Sequence, residues 1–365
     1  MRILIAGGTR FVGRHITQAA LDAGHEVTLF HRGRSGAQLF PQATHLTGDR
    51  DGDVSAAAGL GALAGSSWDA TIDVCAYFPR QVRTLAQALG GRGGRYVYIS
   101  STSAYSTPAA SQSFSENASL AELADPLTEE ITEETYGGLK VACERLAAEL
   151  HGPDRVTIVR PTYVVGPYDR SYRFTWWIER IARGGEVLAP GAPDGPIQVI
   201  DARDMGRWIV ALAGRPAQSR GPDGRGPDGR EQQDGREQDG RAGPEVYHAV
   251  SPAPPYGFGD LLEAIAAEVA PPGTTLTWVS PEFLLERGED AESLPLWPGG
   301  DPESDINTAD PSAAYAAGLA PRPIRQTVAE IHAAEQAAPT PVPAGTGIGA
   351  DREAELLAAW SARPV

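Results

Sequence analysis

The first thirty or so residues constrain the fold most. Residues 3–6 (Ile-Leu-Ile-Ala) form a short apolar run that ends in Gly7-Gly8. Residues 11–23 then place Val12, Ile16, Ala19, Ala20 and Ala23 at helical spacing. Gly24 stands where a left-handed cap residue ends a helix, and residues 26–30 (Glu-Val-Thr-Leu-Phe) read as a second strand. Strand, glycine turn, helix and strand within about thirty residues make one βαβ unit. Such a unit needs a parallel sheet covered on both faces.

The alternation continues. Strands are expected at 44–47, 70–74, 96–100 and 156–159, and helices at 80–89 and 134–150. The fold class is α/β, a Rossmann-type doubly wound parallel sheet. After Pro161 the pattern changes to shorter helices with frequent Pro and Gly, as in a smaller C-terminal substrate lobe. The expected division is a dinucleotide-binding unit over 1–165 and a lobe over 166–335, with a linker and short helix over 337–365. Strands near 196–212 and 244–252 are expected to return to the first sheet. Residues 215–243 repeat Asp-Gly-Arg at Asp223, Asp228, Asp234 and Asp239 and carry no large apolar side chain. That composition cannot offset its ordering entropy, so a disordered insertion is expected. Residues 351–360 read as an amphipathic helix that docks back or reaches a partner.

Composition narrows the function. The 365 residues carry 31 Lys+Arg and 47 Asp+Glu, a formal net charge of −16. Such a chain repels phosphate backbones, so no nucleic-acid partner is expected. No run approaches about 18 uninterrupted apolar residues, so no membrane partner is expected either. The N-terminal apolar run is too short for a signal-peptide core. With only Cys75 and Cys143, neither a disulfide framework nor a metal site is indicated. A cytoplasmic protein acting on a small molecule is the expectation.

The turn Gly7-Gly8-Thr9-Arg10-Phe11-Val12-Gly13 lets backbone amides and a helix N-terminus approach a pyrophosphate. An NAD-preferring site usually has a carboxylate after the second strand. Here the chain reads His31-Arg32-Gly33-Arg34. Guanidinium groups suit a 2′-phosphate, and Arg10 can stack on adenine or reach the same phosphate. NADP is therefore the expected cofactor, with NAD as the alternative. Arg32 and Arg34 could also be solvated surface charge, and His31 reads as a spacer. Asp49 and Arg50, after the third strand, fit an adenine edge. Cys75, Ala76 and Tyr77, after the fourth, would lie under the cofactor ribose, with Cys75 as a packing residue rather than a nucleophile.

Tyr136-Gly137-Gly138-Leu139-Lys140 puts a phenol and an ammonium on one helix face. Lys140 is the only lysine in the chain. The cation is expected to lower the phenol pKa so that Tyr136 exchanges a proton with a substrate oxygen, and to hold the nicotinamide ribose. Ser100-Ser101-Thr102-Ser103 follows the fifth strand, on the edge where open α/β sheets bind ligands. Ser101 is the expected oxygen contact and Thr102 the runner-up; a merely polar strand end is the other reading. Tyr77, Thr162, Tyr168, Arg173, Trp176 and Trp177 could line a substrate pocket, although the tryptophans could equally pack the lobe. Arg173 could bind a substrate phosphate or carboxylate.

These motifs resemble an extended short-chain dehydrogenase/reductase, of the NAD-dependent epimerase/dehydratase family. The matching pieces are residues 7–13, Asp49, Ile99-Ser100-Ser101, Tyr136-x-x-x-Lys140, Arg160-Pro161-Thr162-Tyr163-Val164-Val165-Gly166-Pro167 and Ile200-Asp201-Ala202-Arg203-Asp204. Segments 173–177, 184–191 and 294–297 look like an actinobacterial subgroup sometimes labelled isoflavone-reductase-like. The resemblance implies a Ser/Tyr/Lys triad at Ser101, Tyr136 and Lys140. It also implies that Pro161, Thr162 and Tyr163 lie against the nicotinamide, and that a homodimer forms through the helices near Arg80 and Tyr136.

Two departures stand out. Arg10 replaces the middle glycine of the turn, and Thr102-Ser103 replaces the acid pair that a dehydratase carries after its serine. Carbonyl reduction, or alcohol oxidation, of a small or nucleotide-sugar-like substrate is the first reading, and epimerisation by transient oxidation the second. The third is a non-catalytic dinucleotide- or RNA-binding protein, since a related plant branch with a similar glycine turn binds RNA.

Overall fold

In the computed structural model, residues 1–56, 58–106, 113–216, 243–297 and 307–363 are described. Most of the expected insertion over 215–243 lies outside them.

The main sheet holds seven strands: β1 (Arg2–Ala6), β2 (Glu26–His31), β3 (Thr44–Thr47), β4 (Ala70–Asp73), β5 (Arg95–Ile99), β6 (Val156–Pro161) and β10 (Glu245–Ala249). Their spatial order is β10-β6-β5-β4-β1-β2-β3, and every pairing is parallel. The order reverses between β1 and β4, which opens a crevice at the carboxyl ends of the strands.

Period-two burial sorts each strand to two faces. Ile3 and Ile5 join a cluster with Ile16 and Ala20 of α1 (Phe11–Asp22) and with Met205, Trp208 and Ile209 of α5 (Ala202–Ala213). Leu4 and Ala6 face Val82 and Leu85 of α2 (Pro79–Leu89) and Cys143 and Leu146 of α3 (Glu133–His151). Burial on both faces is why β5 reads as an almost unbroken apolar run.

The strand expected near 196–212 does not return to this sheet. β9 (Val199–Asp201) pairs in parallel with β7 (Tyr163–Val165). What the stretch after β9 adds to the main sheet is the covering helix α5. β10 does return, beside β6.

A third cluster, largely separate from the sheet, gathers α4 (Arg173–Ala182), the parallel pair β8 (Glu186–Pro190) and β11 (Thr275–Val279), α6 (Phe258–Val269), α7 (Pro281–Leu285) and α9 (Ile324–Ala337). The short α8 (Ser312–Ala316) packs on the sheet instead, through Ala314. The terminal helix α10 (Ala350–Ser361) docks back onto the third cluster through Leu356 and Leu357. Its Glu353 accepts from Arg180 Nε at 2.5 Å and from the Leu188 amide at 3.0 Å. No helix among the described residues is long and apolar enough to cross a membrane.

Candidate functional site

A cleft of about 870 Å³ runs along the carboxyl edge of the sheet, from the glycine turn to the start of α4. At its first end, Gly7 has φ +93°, the left-handed region that favours glycine. Gly13 does not line the cleft. It allows α1 to sit against the turn, because a Cβ there would stand 2.0 Å from the Gly7 carbonyl oxygen. Arg10, in place of the usual middle glycine, has φ −125° and ψ 143°, extended backbone open to any residue. The departure therefore leaves the turn intact. Arg10 is the N-cap of α1 and makes no side-chain cap bond, so the helix N-terminus carries no protein anion. Thr9, Arg10, Phe11 and Val12 all line the cleft. Close helix approach, an open N-terminus and a backbone lining fit a dinucleotide pyrophosphate.

His31, Arg32 and Arg34 line the same end, with Asp49 across from them. Both arginines are exposed. Arg50 differs from expectation. It borders the cleft, but its guanidinium is fixed on Asp73 by bonds of 2.7 and 2.8 Å and also donates to the Gln81 carbonyl at 2.9 Å. Asp73 is fully buried, and a carboxylate there needs a cation. Arg50 is thus committed to the fold rather than to an adenine edge. Ala76 is also corrected. It is enclosed below the cleft surface, where its carbonyl accepts from Tyr98 Oη and Lys140 Nζ. Cys75 and Tyr77 do line the cleft. Burial pushes the Cys75 thiol up, consistent with packing rather than nucleophilic use.

At the other end, α3 carries Tyr136 and Lys140 on one face. The two glycines between them explain how that face reaches the strand edge. A Cβ on Gly137 would lie 2.0 Å from the Ser103 carbonyl oxygen, and one on Gly138 2.8 Å from Leu123. α3 is thereby seated on the 102–104 turn, whose N-cap Ser101 accepts from the Ser103 amide at 3.1 Å.

Lys140 is only 3% exposed. Its ammonium donates to the Ile99 carbonyl at 3.0 Å and the Ala76 carbonyl at 3.1 Å, which leaves one N–H of three. It lies 5.9 Å from the Tyr136 ring centroid. Burial pushes the Tyr136 phenol up to about 12, and Tyr77 adds to the rise. The Ser101 hydroxyl and the charge of Arg173 act in the opposite direction. The expected pull of Lys140 on the phenol is corrected accordingly: the opposing cation is Arg173, and the buried ammonium is occupied by backbone carbonyls.

Pro161, Thr162 and Tyr163 form one wall, and Asp169, Ser171 and Arg173 close the end. Arg173 is exposed, and among the described residues no acid lies within 4 Å of it. Its Nε donates to Ser171 Oγ at 3.4 Å. An Asp-x-Ser turn just after Gly166-Pro167 is the only sequence signal of Asp169 and Ser171. Ser100 and Thr102 also line the cleft, and their buried hydroxyls have no hydrogen-bond partner among the described residues. Such groups suit a ligand that supplies the missing partner.

Three expected substrate contacts, Tyr168, Trp176 and Trp177, lie elsewhere. Tyr168 does not line the cleft; the Arg14 guanidinium stacks over its ring at 3.5 Å. Trp176 packs edge-on against the fully buried Trp177 at 4.7 Å, inside the third cluster.

A doubly wound sheet with a glycine turn at its switch point defines a Rossmann-type dinucleotide-binding protein. Residues 3–223 match the model of the NAD dependent epimerase/dehydratase family. The chain belongs to that family. Among characterised proteins it is similar to the chloroplast stem-loop binding protein of 41 kDa b of Arabidopsis thaliana, with 26% identity over 233 residues. That match spans 60% of this chain and 57% of the plant protein.

Among solved structures it resembles UDP-glucuronic acid 4-epimerase from Bacillus cereus in complex with NAD. Identity is 16%, with 92% of this chain and 99% of that one covered at a TM-score of 0.59. It also resembles the Bordetella bronchiseptica enzyme WbmH in complex with NAD+, at 18% identity, 93% and 99% coverage and a TM-score of 0.62. At these identities the likeness is one of fold.

Proposed function

We propose that the protein is an NADP(H)-dependent oxidoreductase that reduces the carbonyl of a small or nucleotide-sugar-like substrate. The observation that carries this reading is that Ser101, Tyr136 and Lys140 border one cleft with the glycine turn. A bound nicotinamide supplies the hydride. Ser101 holds the substrate oxygen, and Tyr136 gives it a proton. A phenol raised to about 12 is fully protonated at neutral pH, the state a proton donor needs. Lys140 holds the Ala76 and Ile99 carbonyls in place and turns its remaining N–H toward the cofactor ribose. Pro161, Thr162 and Tyr163 flank the nicotinamide. Arg173 takes an anionic group of the substrate, with Thr102 as a further hydroxyl contact.

NADP is preferred to NAD because Arg10, Arg32 and Arg34 border the adenosine end, where a 2′-phosphate gains from guanidinium groups. We read the protein as a cytoplasmic homodimer that uses the outer faces of α2 and α3. The same groups serve epimerisation by transient oxidation, a reading favoured by family membership. The plant relative favours RNA binding, against which the net charge of −16 weighs.

The test is Tyr136→Phe. Turnover should fall by about 10²–10⁴-fold, the usual contribution of a positioned acid, with the Kd for NADPH within about twofold of wild type. Equal turnover removes the proton donor. NADPH consumed one-for-one with product marks a reductase; product formed without added NADPH marks an epimerase. Salt-sensitive retention on RNA that Tyr136→Phe leaves unchanged would mark the RNA-binding reading.

A further inference from the structure

A pair of histidines beneath the adenosine end has no part in the function proposed above. β2 ends at His31, and the chain turns through Arg32-Gly33-Arg34, with Gly33 at φ +72°. The Gly33 amide donates to His31 Nδ1 at 3.0 Å. A ring nitrogen that accepts a backbone N–H carries no proton, so the His31 proton sits on Nε2. That nitrogen lies 2.8 Å from His45 Nδ1, on β3, and donates to it. The His45 proton is thereby placed on Nε2, which points at the Phe40 carbonyl at 3.2 Å. A main-chain donor at one end and a main-chain acceptor at the other fix both tautomers. Burial holds the His31 imidazole below its ordinary pKa, in keeping with a neutral ring.

The surroundings make this relay the brace of the turn. The Gly48 amide donates to the His31 carbonyl at 3.1 Å and holds the end of β2 against β3. Further along the loop, Gly36 lies against the glycine turn, where an added Cβ would stand 3.0 Å from the Thr9 carbonyl oxygen. Arg32 and Arg34 are exposed and line the cleft. With no carboxylate within 4 Å among the described residues, their guanidinium groups depend on the backbone beneath them for placement.

We propose that His45, acting through His31, is a positioning residue that sets the preference for a dinucleotide bearing a 2′-phosphate. The relay holds the Arg32–Arg34 turn in the conformation that presents both guanidinium groups along the cleft. This inference rests on the NADP reading above.

The experiment measures the Kd of NADPH and of NADH by quenching of intrinsic tryptophan fluorescence in the full chain. Wild type should bind NADPH at least about tenfold more tightly than NADH, roughly one good charge-assisted contact. His45→Phe removes the acceptor for His31. It should cost most of that tenfold for NADPH and leave NADH within about twofold. His45→Asn keeps an oxygen near the place of Nδ1 and should restore most of the preference. Combining His45→Phe with Arg32→Ala should be no worse than Arg32→Ala alone, since a positioning residue acts only through what it positions. If His45→Phe does not fold, His45→Ala leaves space rather than filling it and serves in its place.

An unchanged ratio in the His45 variants overturns the relay and leaves the NADP reading standing. Equal loss for both dinucleotides also overturns it, as it reduces His45 to general support of β3. A wild-type chain that binds both dinucleotides alike overturns the NADP reading and the relay together.

Discussion

At the glycine-turn end of the cleft, most of the inward-facing groups come from neighbours in the chain, residues 7–12 and 30–35; at the Tyr136 end they come from segments scattered between residues 74 and 173. The first end is shaped by backbone: a positive φ at Gly7 and the contact between Gly13 and the Gly7 carbonyl. The second is shaped by packing, with α3 pressed onto the Ser103 carbonyl and a buried lysine anchored on the end of β5 and the loop after β4. Damage at the first end should therefore appear in cofactor affinity. Damage at the second should appear in turnover or in stability.

The loss of turnover expected for Tyr136→Phe is the largest effect and the sharpest division, since it leaves the glycine-turn end untouched. Next comes Asp73→Asn, below the middle of the cleft. Removing one partner of a buried pair costs about 3–5 kcal/mol, so a large fall in Tm is expected, measured by calorimetry. The pair also has a pH signature. Burial pushes the Asp73 carboxyl up, but the charge and hydrogen bonds of Arg50 outweigh it, and the net pKa is lowered. A lowered folded-state pKa contributes stability that is complete above about pH 4 and is lost as the pH falls through the folded value. Asp73→Asn should flatten that acid-side loss. A wild-type Tm that is level from pH 6 to pH 3 would contradict the pairing.

Gly137→Ala is smaller. A methyl 2.0 Å from a carbonyl oxygen must push α3 outward, at about 1–3 kcal/mol for overpacking. The expected signature is a kcat that falls more than cofactor affinity, because Tyr136 moves away from Ser101 while the glycine turn stays in place. Equal loss of both would mean that the two ends are not separable. Tyr168→Ala should do least. The ring stacks on Arg14 outside the cleft, so KM and kcat should stay within about twofold of wild type. A large rise in KM would return Tyr168 to the substrate site.

The legibility of the sequence follows the same division. Thr44–Thr47 forms the strand expected there, and α1, α2 and α3 start and stop within about two residues of their expected limits. In those segments apolar periodicity and glycine caps act locally. β9 differs from expectation because a three-residue strand carries no sign of its partner, and β7 lies more than thirty residues earlier in the chain. Arg50 and Arg32 are the same residue type, each placed after a strand. Only the fully buried Asp73 carboxylate beside Arg50 tells them apart. Nothing in the local sequence marks His45, because its partner lies on the neighbouring strand, fourteen positions away.

By itself, the sequence determined the doubly wound sheet, the glycine turn and the pairing of Tyr136 with Lys140 on one helix face, since each depends on spacing within a few turns of chain. The tertiary structure decided which cations stay free and which are spent on buried carboxylates. It also decided which aromatic rings face the cleft, and that burial raises the phenol of Tyr136. Burial and pairing are properties of groups brought together from distant segments, and no local spacing records them.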